Sequence, residues 1–201
     1  MVLNTMNKFL KLSFLLLLTA ASPLCVASSI QENDAPLQTN ATHFATAWFS
    51  FDLPMVLKQT YKNEDSSISQ NVYRTLPSTD YSPLQVRASV IKKAPTDPKD
   101  LPEWENNVLA AMTGIFTKTY HVTDDVKVKA LNNKQKIKIG TETYQSVKIS
   151  YENVDVSILV TVKNDMTYSF MLLSIESVPE VRKSNMDKLL NAMKTVRFKT
   201  P

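Results

Sequence analysis

The 201-residue chain is 43% hydrophobic and 21% charged, ordinary proportions that exclude a wholly disordered protein and suit one domain. It has only two glycines, which argues against glycine-rich phosphate loops. The formal net charge of +4 partly belongs to a leader: residues 1–27 hold Lys8 and Lys11 and no acid, so the remainder carries (23 − 2) − 19 = +2, a balance that does not by itself imply nucleic acid.

The chain opens with Lys8 and Lys11, the apolar run Leu12 to Ala21, then Cys25-Val26-Ala27 before Ser28. This is the form of an export signal, too short and too abruptly ended for a membrane span. Cleavage near Ser28 is therefore expected, with the protein exported to a periplasm or secreted. The cut removes Cys25, the single cysteine, leaving neither disulfide nor thiol chemistry. The rival is a lipid anchor on Cys25, but Leu24 stands where bacterial lipoprotein signals take a small residue. Residues 28–44 lack periodicity and read as a mobile polar tail, and residues 45–201 as a single α/β domain.

Within that domain, Trp48 to Leu53 places Phe49, Phe51 and Leu53 on one side and stops at Pro54, a first strand. Asn63 to Ser67 reads as a loop. Ile68 to Leu76 and Gln85 to Ile91 alternate as two further strands, Val86, Ala88 and Val90 sharing a face. Asp100-Leu101-Pro102-Glu103 has the form of a capping box. The helix it predicts carries Trp104, Val108, Leu109, Met112, Ile115 and Phe116 as an apolar stripe to about Thr119.

The second half is denser in strand signals. Val126, Val128 and Ala130 alternate with Lys127 and Lys129, and after Asn132-Asn133, Lys134, Lys136 and Lys138 alternate with Ile137 and Ile139. The pattern predicts a hairpin turning at the asparagines. Thr143 to Tyr151 follows Gly140 as another strand. Val154 to Lys163 and Met166 to Ser174 flank Asn164-Asp165, and their near-continuous apolar runs predict central strands covered on both faces. Ser177-Val178-Pro179-Glu180 is a second capping-box pattern. Met186, Leu189, Leu190 and Met193 form the stripe of the helix it starts, and Val196 and Phe198 a short last strand.

Chemistry has few candidates. His43 and His121 are the two histidines, His43 at the edge of the tail, and no G-x-S-x-G turn supports a serine hydrolase. His121, just after the first helix, is better placed to satisfy carbonyls there than to move protons. Two distant histidines without cysteine fit no zinc spacing, and Asp124-Asp125 reads as a solvated turn. Met166, Met171, Met186 and Met193 fall within apolar periods, as core filler and not a copper site.

The order of elements resembles the PsbP/Mog1 superfamily, including the exported DcrB-like group of bacterial proteins. The residues that carry the resemblance are a short aromatic strand ending in Leu53-Pro54, a strand at Val86 to Val90 and a Trp-bearing helix. After them come a hairpin, a strand led by Gly140-Thr141, two long strands and a last helix running into Val196-Arg197-Phe198. The resemblance covers about Phe49 to Lys199. It implies an α/β/α sandwich with a central, largely antiparallel sheet flanked by two helices, with no cofactor and no catalytic residues. Its members act as binding or accessory proteins on different partners, so no functional residue carries over.

The remaining feature is the set of five lysines, Lys127, Lys129, Lys134, Lys136 and Lys138. On one face of a hairpin they form a cationic patch for an acidic protein or another anionic surface. Lysine on an exposed edge also simply prevents unwanted strand pairing. No interleaved aromatic platform supports single-stranded nucleic acid. The expectation is an exported, non-enzymatic binding or accessory module. The alternative is a small secreted hydrolase or ligand-binding protein using a cleft between sheet and helices.

Overall fold

The described residues form ten strands and three α-helices. A computed structural model describes residues 42–53, 57–75 and 79–200, within one unit spanning Leu37–Pro201; the predicted leader and most of the predicted tail lie outside the described residues. In order the elements are β1 (Thr42–Ala45), β2 (Phe49–Leu53), β3 (Lys58–Glu64), β4 (Ile68–Arg74), β5 (Leu84–Ile91), α1 (Leu101–Thr119) and α2 (Asp124–Asn132). There follow β6 (Gln135–Ile139), β7 (Glu142–Tyr151), β8 (Val154–Lys163), β9 (Met166–Ile175), α3 (Pro179–Ala192), a 3-10 turn (Met193–Thr195) and β10 (Arg197–Phe198).

The main sheet runs β3-β4-β5-β9-β8-β7-β6, antiparallel throughout. Every residue of β9 is buried, because both faces are covered. Tyr168, Phe170 and Leu172 point one way, with Val86, Ala88 and Val90 of β5, into a core shared with Phe49, Phe51, Leu53, Leu189 and Met193. Met171, Leu173 and Ile175 point the other way, with Val156, Ile158 and Val160 of β8, against Leu109, Met112 and Phe116 of α1. One face therefore carries α1 and α2, and the other carries α3 and a small sheet, β1-β2-β10. Trp104, half-buried, is tied down by an indole N–H donated to Thr167 Oγ1 at 2.7 Å.

The fold is α+β, an α/β/α sandwich, but with three helices among the described residues instead of two. The predicted Val126 to Ala130 strand is helix α2. Thr123 stands at its N-cap with Asp124 and Asp125 in the first turn, where acids suit the dipole. Val126 and Ala130, four apart, turn toward α1 and β7, while Val128 is 55% exposed. Five residues of alternation imitated a strand, and there is no hairpin at Asn132-Asn133. Asp124-Asp125 is accordingly exposed to solvent, as expected, but at a helix start and not in a turn.

Other differences are local. β1 takes Thr42 to Phe44 from the predicted tail, and β3 includes Asn63 and Glu64 from the predicted loop. Neither capping box closes: Asp100 is the N-cap of α1 without a side-chain bond. Ser177 donates its hydroxyl to Glu176 Oε1 at 3.2 Å, leaving Val178 as the N-cap of α3.

The β3–β4 turn rests on one side chain. Asp65 Oδ1 accepts the Ser67 N–H at 2.7 Å, the Ser67 hydroxyl at 2.8 Å and the Ile68 N–H at 2.8 Å. The Ser67 backbone bond leads in holding the Asp65 carboxyl below its ordinary value, followed by the Ile68 bond. A depressed folded-state value contributes stability above the unfolded value of about 3.9, lost as pH falls below it. Asp65→Ala should therefore cost about 1–2 kcal/mol at pH 7. Melting at pH 7 and pH 3 checks this: the gap to wild type should narrow in acid, and a constant gap contradicts the assignment.

Candidate functional site

The structure splits the five lysines. Lys127 and Lys129 lie on α2, and two residues apart on a helix they point in different directions. Lys127 turns back over α1, its Nζ 3.8 Å from where a Cβ would stand on Gly114. Lys129 is exposed in the last turn. Lys136 and Lys138 are exposed on β6, an edge strand with β7 as its neighbour, and Lys134 just before it continues the row.

The β6 row has a definite face. Ile137 and Ile139 pack toward α3 and the small sheet, so Lys136 and Lys138, opposite Gln145 and Thr143, stand on the side of α1 and α2. Glu105 of α1 lies within reach of Lys136. Burial pushes the Glu105 carboxyl up, against the opposing pull of the Lys136 charge and a hydrogen bond from the Val162 backbone.

At the far end of the same sheet is a cluster that the sequence did not reveal. Arg74 of β4 pairs with Gln85 of β5, and Val72 with Arg87, so the two arginines are diagonal neighbours on the face that carries α1 and α2. Both donate through Nη2 to one oxygen, Oδ1 of Asp80, Arg87 at 2.9 Å. Their side chains are 16% and 19% exposed and that of Asp80 54%. Arg87 Nε is buried and has no hydrogen-bond partner among the described residues.

The turn that presents Asp80 is braced through its backbone. The Tyr120 hydroxyl donates to the Asp80 carbonyl at 2.8 Å, and Gln85 Nε2 to the same carbonyl. Ser82 Oγ donates to the Thr79 carbonyl at 2.9 Å and accepts the Thr79 N–H at 3.0 Å. Burial lowers the proton affinity of Arg74, Asp80 opposes this, and the Arg87 charge adds to it. Burial likewise pushes the Tyr120 hydroxyl up. Residue spacing carried no hint of this closure: Arg74 and Arg87 are thirteen apart, and Asp80 sits in a turn where aspartate is unremarkable.

The histidines do not converge. His43 on β1 lies opposite Asp52 on β2, Nδ1 2.6 Å from Oδ1, with both side chains well exposed. That pair belongs to the small sheet. His121 is exposed in the left-handed region at φ 53, at the end of α1, on the other side of the main sheet. The N–H of Val122, donated to the Thr117 carbonyl at 2.9 Å, closes that helix end. Among the described residues no three His, Cys, Asp or Glu side chains are grouped to hold a metal. Met166, Met171 and Met193 are buried, and Met186 packs against the core. No helix of the described residues is long and apolar enough to cross a membrane.

No known protein family matches the chain, and no curated protein does. Among solved structures it is similar to cyanobacterial PsbP, CyanoP, of Synechocystis. The identity is 11% and the TM-score 0.51, over 89% of this chain and all of that one. It also overlaps a crystallised protein of Bacteroides thetaiotaomicron at 12% identity and TM-score 0.48. That overlap covers 81% of this chain and half the length of the other. The chain thus has a PsbP-like fold.

Proposed function

We propose that the chain is an exported, non-enzymatic binding or accessory module that docks an anionic protein surface at the β6 edge of its main sheet. Kinship with the exported DcrB-like bacterial proteins, and passage through a periplasm or beyond the cell, belong to this reading. The observation that supports it is the row Lys134, Lys136 and Lys138, exposed on one side of an edge strand, with Lys129 exposed on the adjoining helix. Like charges so spaced repel, a cost that an anionic partner converts to attraction.

The test is recovery from native extract at low salt. Wild type should retain one stoichiometric protein that the variant with Lys134, Lys136 and Lys138 all changed to Gln loses, while the two melt alike. Equal retention would reduce the row to a solvated edge that discourages strand pairing.

A further inference from the structure

We propose that Arg74 and Arg87 form a second docking point, a carboxylate-binding site that Asp80 occupies in the unbound protein and that an acidic side chain of a protein partner takes over. The inference is independent of the β6 edge, which lies at the opposite end of the sheet.

The first ground is charge. Two largely buried guanidiniums share one oxygen of one carboxylate, so the cluster keeps a net positive charge and is under-neutralised where water screens it least. The second is geometry. A guanidinium binds carboxylate best through two parallel N–H bonds, yet Arg87 uses Nη2 while its buried Nε is idle. Asp80 fills half of the fork.

The third ground is how Asp80 is held. Tyr120 and Gln85 fix its backbone carbonyl, so the turn is anchored while its carboxylate stands half in solvent. Rotation of that one side chain frees both guanidiniums without disturbing the turn. An incoming carboxylate can then meet the complete Arg87 fork with Arg74 beside it.

The surroundings favour a protein ligand. Tyr61, Val72 and Arg87 form a cross-strand row across β3, β4 and β5 on the face that carries α1 and α2. Tyr61 and Tyr81 are both exposed, Tyr81 edge-on to Tyr120 at 6.3 Å between centroids. Arginine and tyrosine around a partly desolvated anchor are the composition of interface hot spots.

The test is an NMR titration of the full chain at low salt with a capped tetraglutamate peptide and, separately, inorganic phosphate. Peptide should shift the Arg74 and Arg87 signals, and Asp80→Asn, removing the internal competitor at constant shape, should tighten binding about tenfold. Arg87→Gln in that background should undo the gain, and Arg87→Lys, which keeps the charge without the fork, should undo most of it. Unchanged affinity in Asp80→Asn, or full affinity in Arg87→Lys, would overturn the site. Phosphate binding as tightly as the peptide would overturn the protein partner in favour of a free anion. Unaltered tetraglutamate binding in the triple lysine variant would separate this site from the β6 edge.

Discussion

Phe170→Ala should lower stability by about 3–5 kcal/mol, the largest effect expected of any single substitution here. Phe170 is fully buried on β9, with ring centroids 5.5 Å from Phe49, 6.5 Å from Phe51, 6.4 Å from Tyr144 and 6.5 Å from Phe198. These partners come from β2 and β10 of the small sheet and β7 of the main one, so this ring is where the two sheets meet. An alanine there leaves a cavity walled by aromatic rings on β-strands, which collapse little. Thermal melting should show a fall of roughly 8–15 °C, and a wild-type midpoint would refute the packing.

Asp155→Ala is the second. Arg182 of α3 places Nε 3.1 Å from Asp155 Oδ2 of β8, with side chains only 12% and 21% exposed, and donates Nη1 to the Glu176 carbonyl at 2.7 Å. The first half of α3 has little else to fasten it. Val178 and Val181 are exposed, and Ser146, Ser157 and Ser174 are buried with hydroxyls lacking hydrogen-bond partners among the described residues. Removing the carboxylate strands a buried cation, costing roughly 2–4 kcal/mol. The double variant Asp155→Leu, Arg182→Met replaces the pair by apolar groups and should regain most of the loss. Denaturant midpoints decide, and a double variant no more stable than the single one would contradict this role.

The central strands were legible because burial on both faces leaves a continuous apolar run, as in Ile158-Leu159-Val160 and Phe170 to Leu173. The inward face of β2 was legible because Phe49, Phe51 and Leu53 alternate cleanly, and α1 because its stripe persists for three turns. β3 was not. Its sequence, KQTYKNE, has one apolar residue, and it is an edge strand fixed by its bonds to β4. α2 was misread because Val126, Val128 and Ala130 fit period 2 as well as Val126 and Ala130 fit a helical turn. The start signals Thr123 and Asp124-Asp125 were the better guide.

The candidate sites show the same division. The β6 row was visible because alternation survives in a strand, whereas Lys127 and Lys129 were separated by the helix that alternation concealed. The Arg74–Arg87–Asp80 cluster has no local signature: register between β4 and β5 and the path of one turn bring it together, and neither is written in spacing.

Docking through the β6 edge is tested most directly by the association rate of the captured partner against ionic strength, for wild type and for the variant with Lys134, Lys136 and Lys138 changed to Gln. Exposed charges act over a Debye length of about 8 Å at physiological salt. Wild type should therefore associate about tenfold faster at low salt, and the variant should be slow and nearly salt-independent. Identical rates and slopes for the two proteins would contradict docking through the β6 edge.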